Sequence, residues 1–478
     1  MSRSHPSAAA GRPQAPGPRQ ISWGWMAFVG AVATMGSVSA HMRNLRHFFR
    51  RCSFIALHKH SIACIYAFLV MYFARIAMSV TDASRRRFIR LAGGGTLFAA
   101  AGFGLTGCDR MPAEAISGWS GPGADAADPR RTALAYALLA PNAHNIQPWL
   151  VDLREPDTVV LHVDRQRLLP ETDPFSRQIL ISHGTFLGLL RIAAAEQGYR
   201  IDMELFPEGE FATDAIDDRP VARCRFVTAD EHDSAGAPDP LFAEILQRRS
   251  NKEVYRPEPL ASAHADQLTA ALRHQGQQPG QQTGWRCDIA REGALVDRLR
   301  ELTADAIRIE MATPRTHRES VMLTRVGSRE IARHRDGIDL HGPMFWWVKR
   351  LGLMTPEKAM TPGTLAYQGG LDYALGWTQS TPSFGWLTSP DNSRTRQVES
   401  GEVYVRLNLL ATALGVAMHP VSQLLQEYPE MRSLQQAFLS AVGANEPGVV
   451  QMLFRLGYAD AVPPSPRRDL DDLMIGAS

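Results

Sequence analysis

Residues 140–149 read Ala-Pro-Asn-Ala-His-Asn-Ile-Gln-Pro-Trp, and the fold predicted for the rest of the chain depends on this stretch. An apolar run at 134–139 predicts a helix before it, and the alternation at 150–153 predicts a strand after it. Each proline favours extended backbone in the preceding residue, so we expect an open helix-to-strand loop whose side-chain amides point outward. Such a loop suits the edge of a flat polar ligand; an ordinary Asn- and Pro-rich surface turn is the alternative.

This stretch resembles the signature (Ser/Asn)-x-His-Asn-x-Gln-Pro-Trp of the FMN-binding nitroreductase superfamily, in particular its exported, fused-dimer branch, the Acg-like proteins. The resemblance covers about Asp128 to Met474. It implies that FMN is bound by six residues of the loop, namely Pro141, Asn142, His144, Asn145, Gln147 and Pro148.

A second stretch, Arg248-Arg249-Ser250-Asn251-Lys252, is similar to the element that opens nitroreductases and binds the FMN phosphate. Two guanidinium groups and a hydroxyl can form charge-assisted hydrogen bonds to a dianion, although a solvated basic turn has the same composition. The resemblance assigns Arg248, Arg249, Ser250 and Lys252 to the cofactor. In the family this element precedes the loop, whereas here it follows, which a fusion of two gene copies explains.

Two shorter stretches complete the resemblance. The turn Met418-His419-Pro420-Val421-Ser422 lies where family members pass near the flavin, which implies contacts from Pro420 and Ser422. Arg467 and Arg468 resemble the C-terminal basic element that completes the phosphate site; basic residues near a C-terminus are otherwise usually solvated.

The predicted fold is α+β, with two fused nitroreductase-like modules at 128–235 and 236–478. We expect a mostly antiparallel sheet with helices on both faces in each module, and a long helix from Ser393 to Leu414 capped by the serine. Residues 291–370 resemble an insertion that includes Phe345-Trp346-Trp347. This insertion is either a lid over the flavin or packing between the modules.

The first 107 residues carry 13 of the 51 Lys and Arg residues and one acid, which leaves 38 basic and 48 acidic residues in the remainder. Residues 84–90 resemble a twin-arginine export signal, followed by an uncharged apolar run to 107. Leu105-Thr106-Gly107-Cys108 resembles a lipobox that would place a lipid on Cys108, with Asp109 as an inner-membrane retention signal. An uncleaved signal anchor is the alternative.

These signals divide the N-terminal part into a doubtful extension at 1–77, a signal peptide at 78–107 and a flexible tether at 108–127. It predicts a protein on the periplasmic face of the inner membrane. The acidic body argues against nucleic-acid binding. Cys224 and Cys287 are the two cysteines of the mature body, their pairing is open, and their spacing does not favour a metal site.

The resemblance implies an FMN-dependent oxidoreductase that reduces nitro compounds, quinones or similar small acceptors, with NAD(P)H or a membrane quinol as donor. The flavin would carry the chemistry, so we predict no dedicated catalytic acid or base. An internal pseudo-dimer predicts a monomer. Two alternatives are a flavin-sequestering protein without turnover and a cofactor-free binding module tethered to the membrane.

Overall fold

The computed structural model describes residues 109–123, 128–228, 237–274, 284–444 and 448–476. All of them belong to one compact unit, Leu97–Ser478. The predicted export signal, the lipid-bearing Cys108 and the doubtful extension lie outside the described residues.

The first module is an antiparallel sheet covered by helices. Its first helix begins as predicted, because the Asp128 side chain accepts a hydrogen bond from the amide of Arg130 and Pro129 occupies the first helical turn. The strand order is β1-β2-β4-β3, with every neighbouring pair antiparallel. The strands are β1 Trp149–Asp152, β2 Thr158–Val163, β3 Tyr199–Leu205 and β4 Ala222–Thr228.

The second module repeats this arrangement with the order β5-β8-β10-β9, again antiparallel throughout. A short parallel pair, β6-β7, lies outside this sheet. The predicted α+β fold of two fused modules is confirmed. The strands are β5 Arg286–Ala290, β6 Thr324–Val326, β7 Ile338–Leu340, β8 Ser383–Ser389, β9 Ala417–Pro420 and β10 Val449–Gly457.

Eleven α-helices lie in the described residues, and most of them belong to the second module. They are α1 Pro129–Ala137, α2 Arg177–Ala195, α3 Ser262–His274, α4 Ala294–Ala312, α5 Pro314–Met322, α6 Ser328–His334, α7 Pro343–Arg350, α8 Pro356–Met360, α9 Leu365–Gln379, α10 Arg394–Ala413 and α11 Arg432–Ala441. Helix α10 is the predicted long helix, and the Ser393 side chain caps it by accepting from the amide of Arg396.

The two modules meet where α2 crosses α10, a contact that we call the seam. A Cβ atom on Gly184 would lie 1.7 Å from the carbonyl oxygen of Val398, and one on Gly401 would lie 2.0 Å from that of Ile181. Only glycine permits this approach of the two backbones. Helix α2 is long and apolar enough to cross a membrane, but it is mostly buried here, so it is a core helix.

Each seam helix begins with an arginine that reaches into the opposite module. Arg177 donates to the backbone oxygens of Leu425 and, at 3.1 Å, Val450. Arg394 donates to the backbone oxygen of Phe175 at 2.7 Å. The modules are therefore joined by polar contacts at the N-terminal ends of both helices as well as by close packing.

Two sequence expectations need correction. The predicted tether forms 3-10 turns at Ala113–Ala115 and Ser117–Ser120 and buries Trp119, whose Nε1 donates to the oxygen of Ser465 at 2.8 Å. Residues 109–123 are therefore not a flexible tether, because burial of the Trp119 ring and the hydrogen bond from its N–H stabilise an ordered conformation of the segment.

The predicted insertion at 291–370 is also not one element. Helix α4 buries Val296, Leu299 and Leu302 in the core of the second module, so this part belongs to the module itself. Residues 338–376, which we call the rim, contain no buried residue. The rim alone has the character expected of an insertion.

Candidate functional site

The loop at 140–149 is strained. His144, Asn145 and Gln147 have φ values of 47°, 55° and 53°, a left-handed conformation that non-glycine residues rarely adopt. Hydrogen bonds hold it there: the Gln147 amide donates to Asn142 Oδ1 at 2.8 Å, and Thr185 Oγ1 of α2 donates to the Pro141 oxygen at 2.6 Å. The seam therefore supports the loop directly.

The expectation that the loop amides point outward is wrong for Asn145 and Gln147. Asn145 Nδ2 donates to the oxygens of Gly337 and Pro466 at 3.2 and 3.1 Å. Gln147 is fully buried, and its Nε2 donates to the Arg335 oxygen at 2.9 Å. The left-handed residues turn both side chains into the protein, where they tie the loop to the second module.

Asn142 and Pro148 are committed to local contacts as well. Asn142 Nδ2 donates to the Ala140 oxygen at 3.0 Å, while the Pro148 oxygen accepts from the amide of Asp164 at 2.8 Å. Of the polar side chains predicted in this loop, His144 is the one with an unused atom: its Nδ1 is buried and has no hydrogen-bond partner among the described residues.

Three predicted cofactor residues, Arg248, Arg249 and Arg467, converge on the ring of Trp119, and we call them the arginine cluster. Their Cζ atoms lie 5.6, 4.2 and 5.1 Å from the centre of the indole ring. No carboxylate among the described residues forms an ion pair with any of them. Burial lowers the pKa of Arg248 to about 10, and it lowers that of Arg467 well below its usual range, with the neighbouring arginines adding to both shifts.

The cluster belongs to both modules. Arg248 of the second module donates to Asn408 Oδ1 of α10 at 3.1 Å and to the Leu139 oxygen of the first module at 2.9 Å. Arg467 donates to the oxygens of Leu138 and Leu139 at 3.0 Å each, and to Asn145 Oδ1 at 2.7 Å. The Nε atoms of Arg248 and Arg249 remain buried without a partner among the described residues.

Lys252 links the loop to the second module electrostatically. Its side chain is accessible to solvent, but loss of hydration against the surrounding protein lowers its pKa, which Asp339 of β7 partly offsets. Burial, with a smaller contribution from the Lys252 charge, lowers the pKa of His144 to about 4. His144 is therefore neutral at pH 7.

Four further residues that the sequence motifs did not single out, Asp339, Tyr373, His419 and Arg455, interact electrostatically with Lys252 or with one another. His419 is buried with an unpartnered Nδ1, and burial and the charges of Arg455 and Lys252 lower its pKa far below the usual value. Tyr373 is 50% exposed, but loss of hydration against the surrounding protein raises its pKa to about 12, with influences from Glu253, Arg455 and Asp339. We call His144, Lys252, Asp339, Tyr373, His419 and Arg455 the polar patch.

Arg455 is a member of the polar patch that the sequence itself could have indicated. It is the one charged residue of strand β10 and is fully buried, with its Cζ 3.7 Å from the centre of the Tyr255 ring. A buried charge within a strand indicates a specific partner or ligand. Its NH1 donates to the Trp377 oxygen at 2.8 Å, and its Nε has no partner among the described residues.

The structure does not bring every predicted residue to the cluster. Arg468 points to the other side of the loop, where its amide donates to Gln147 Oε1 at 2.8 Å and its guanidinium to the Asp472 oxygen. Pro420 ends strand β9, and Ser422 begins a 3-10 turn, Gln423–Leu425. Ser250 lies half-buried between Arg249 and Lys252.

Cys224 and Cys287 are free and buried in different modules. Burial raises the pKa of each thiol to about 12, so neither forms a thiolate near neutral pH. Within the described ranges no three His, Cys, Asp or Glu side chains are grouped as a metal site would require.

Comparison with known proteins gives relatives over most of the chain. A proposed NAD(P)H nitroreductase of Mycobacterium tuberculosis is 27% identical over 362 residues, covering 72% of this chain and 90% of the relative. The proposed NAD(P)H nitroreductase acg of the same organism is 25% identical, covering 72% and 94%. PigM of Serratia sp., also named for a proposed NAD(P)H nitroreductase activity, is 24% identical, covering 62% and 80%.

Solved structures match at lower similarity, and no family model matches the chain. The FMN-dependent nitroreductase NfnB from Mycobacterium smegmatis in complex with NADPH is 21% identical, covers 48% of this chain and 94% of its own, and has a TM-score of 0.30. A nitroreductase with bound FMN from Bacteroides fragilis is 15% identical, covers 46% and 89%, and has a TM-score of 0.27. The chain is thus similar in sequence, over most of its length, to proteins named for a proposed NAD(P)H nitroreductase activity, acg among them, and its two modules have the α+β architecture that the motifs predicted.

Proposed function

We propose that this chain binds FMN between the strained loop and the arginine cluster, and that it is an NAD(P)H-dependent oxidoreductase. The observation that carries the proposal is the arginine cluster, in which three guanidinium groups converge without an ion-pair partner among the described residues. Buried like charges repel, and their hydration is lost, so an arrangement of this kind costs free energy unless an anion compensates it.

The phosphate of FMN fits this cluster chemically. Arg248 and Arg249 each have a buried Nε atom with no partner in the described part of the chain, and a phosphate oxygen can accept from both. The donors of Arg467 are already hydrogen-bonded to backbone oxygens and to Asn145. Arg467 therefore contributes positive charge and fixes the loop at 140–149. The cluster thus divides into two donors toward the phosphate and one arginine that positions them.

The polar patch fits the ring end of the same cofactor. Lys252 supplies positive charge, and the unused Nδ1 atoms of His144 and His419 can hydrogen-bond to polar atoms of a flat ring. Both histidines have lowered pKa values and are neutral at pH 7, so each ring can present one donor and one acceptor. The residues of the patch thereby bind and orient the ring.

The flavin supplies the two-electron chemistry when it is bound. The chain contributes orientation, a positive charge that favours a reduced ring, and polar contacts. The names of the sequence relatives favour NAD(P)H as donor, and a membrane quinol is the second donor that we propose. As acceptors we propose nitro compounds, quinones or similar small molecules.

The proposed location follows from the sequence alone: export by the twin-arginine route, and a lipid on Cys108 at the periplasmic face of the inner membrane. A pathway that exports folded proteins is compatible with a cofactor bound before export. We propose that the exported protein acts as a monomer, because its two modules already form the pair that one site requires.

The test is the visible spectrum of the purified full chain, followed by anaerobic addition of NADPH. We expect flavin absorbance that is lost on reduction and restored by a quinone or a nitro compound. Flavin that stays oxidised with NADPH but is reduced by a quinol would assign the second donor. Flavin reduced by neither would leave the sequestering alternative, and a protein that neither contains nor binds FMN would overturn the proposal.

A further inference from the structure

We propose that one face of helix α7, in the rim, docks on the surface of an anionic phospholipid bilayer beside the lipid anchor. The face consists of Met344, Trp347, Val348 and Leu351, whose spacing places them on one side of a helix. Met344 is 46% exposed and Leu351 is 49% exposed, so both ends of the face are open.

The composition of α7 is that of an interfacial helix. It reads Pro-Met-Phe-Trp-Trp-Val-Lys-Arg, with two tryptophans and two basic residues in one short segment, and it contains no buried residue. Tryptophan suits the boundary between water and lipid because its ring is apolar while its N–H is polar. Arg350 forms no ion pair among the described residues, so its charge is available to favour anionic headgroups.

The opposite side of α7 is already in contact with the protein. Lys349 Nζ donates to the oxygen of Val326 in β6 and to Glu330 Oε1 of α6, both at 2.5 Å. Arg350 is exposed, and its Cζ lies 5.4 Å from the centre of the Trp346 ring. The helix is therefore anchored through its lysine, while the apolar face is exposed at both ends, Met344 and Leu351, and partly buried at Trp347 and Val348 between them.

The position of Asp109 identifies the occupant of this face. Its backbone oxygen accepts from the amide of Gly342, which caps α7, at 3.0 Å. Its carboxylate accepts from the same amide at 3.1 Å and from the amide of Ser328, at the start of α6, at 2.5 Å. The residue that follows the predicted lipid-bearing Cys108 is thus fixed at the N-terminal end of α7.

This connection leaves little freedom between anchor and helix. Consecutive Cα atoms are about 3.8 Å apart, so a lipid on Cys108 would enter the bilayer next to α7 rather than at the end of a long tether. A bilayer at that place would cover the face from Met344 to Leu351. The proposal rests on the predicted lipid anchor and does not depend on the proposed flavin chemistry.

The experiment measures the depth of a spin label in vesicles that contain phosphatidylglycerol. The lipidated protein that begins at Cys108 is reconstituted with Leu351→Cys as the labelled site; Cys52 and Cys64 are removed with the signal peptide, and the lipid blocks the thiol of Cys108. Phe175→Cys is the matched control, because Phe175 is an exposed apolar residue, 41% accessible, at the start of seam helix α2. Cys224 and Cys287 are buried and should not react.

We expect the ratio of oxygen to nickel-complex accessibility at position 351 to rise several-fold on transfer from detergent to vesicles, and to stay unchanged at position 175. Met344→Asp in the 351-labelled chain should reverse the rise. Equal water accessibility at both positions in vesicles would overturn the proposal. Dipolar coupling between labels at position 351 would also overturn it, because a second copy of the chain would then cover the face.

Discussion

The seam and the rim are both rich in apolar residues, but the seam buries these residues fully and the rim does not. At the seam, α2 and α10 approach so closely that Gly184 and Gly401 are required, and Val398, Val405 and Leu409 are fully buried. In the rim, 338–376, no residue is buried, and Leu365 is 65% exposed. The seam therefore contributes to stability, whereas the apolar residues of the rim are available for something outside the fold.

The arginine cluster and the strained loop depend on the seam. The loop is tied to α2 through Thr185, and Arg248 is tied to α10 through Asn408. A ligand site supported in this way is preorganised by packing that is complete before any ligand arrives. The rim supplies Asp339 and Tyr373 to the polar patch, so the less packed region contributes to the part of the site where we propose that the flavin ring binds.

The largest effect should come from Gly401→Ala. Its added methyl group would lie 2.0 Å from the Ile181 oxygen, and because the atoms that crowd it are backbone atoms of α2, the modules must separate. We expect the free energy of unfolding to fall by about 3 kcal/mol or more. Urea denaturation followed by circular dichroism measures this loss.

The control for that change is Gly376→Ala in helix α9 of the rim, where a Cβ would have no neighbour within 4 Å. Alanine favours a helix over glycine, so stability should be unchanged or rise by up to about 1 kcal/mol. If both alanines were equally harmless, the close approach at the seam would not be what joins the modules.

A pH-dependent effect should come from Asp173, just before α2. Burial raises the pKa of its carboxyl from 3.8 to about 6, although the Ile179 amide, which donates to Oδ2 at 3.0 Å, acts in the opposite direction. The folded state thus binds this proton more tightly than the unfolded chain. Its stabilising contribution is complete below pH 3.8 and is lost as the pH rises through 6, by roughly 2 to 3 kcal/mol.

Asp173→Asn should remove this decline while keeping an oxygen for the Ile179 amide. The measurement is urea unfolding of both proteins at a series of pH values between 4 and 7. Asp157→Asn serves as control, since Asp157 is exposed in a turn with φ of 52°, which asparagine tolerates. An identical decline in the Asp173 variant would assign the pH dependence to another group.

A smaller effect, on binding rather than stability, should come from Arg249→Ala. Arg249 is half-buried, and its NH1 bonds only to the nearby oxygens of Leu246 and Arg248, so its loss should leave the seam intact. Removal of a charged donor from a phosphate should weaken FMN binding by roughly 2 kcal/mol, or about 30-fold. Titration calorimetry of the apoprotein measures the dissociation constant.

The matched control is Arg154→Ala, because Arg154 is an exposed arginine paired with Asp152 in the first module. It should bind FMN as the wild type does. Unchanged affinity in the Arg249 variant would remove the arginine cluster from the cofactor site, and with it the main support for the proposed function.

Local sequence signals predicted much of this framework. The caps at Asp128 and Ser393 fixed where α1 and α10 begin, because capping side chains act within one helical turn. The repeated Ser-Arg at the start of α2 and α10, with Gly184 and Gly401 at the same spacing behind it, was a further signal of two related halves. It becomes meaningful only once the two helices are seen to cross.

The composite site was predictable in part. The motifs singled out Arg248, Arg249 and Arg467, which the structure brings together, but nothing local indicated that Trp119 would pack against them from a Gly- and Ser-rich segment. The inward turn of Asn145 and Gln147 was missed because their left-handed backbone carries no glycine to mark it. Such features are set by contacts between distant segments, which outweigh local preference.

The smallest effect should come from Met344→Asp and Leu351→Asp in the rim. Both side chains are about half exposed, so a carboxylate there remains hydrated, and each change should alter the free energy of unfolding by at most about 0.5 kcal/mol. Leu409→Asp at the seam is the matched change and should cost several times more, since it buries a charge without a partner.

Thermal and urea unfolding of the three variants decide between the two accounts of the rim. If Met344 and Leu351 tolerate aspartate, the apolar face of α7 is not maintained for folding, and a role outside the folded body is left to explain its composition. If either change destabilises the protein as much as the substitution at Leu409, the rim is part of the core. The rim and the seam would then differ only in how much apolar surface they bury, and both would serve to stabilise the fold.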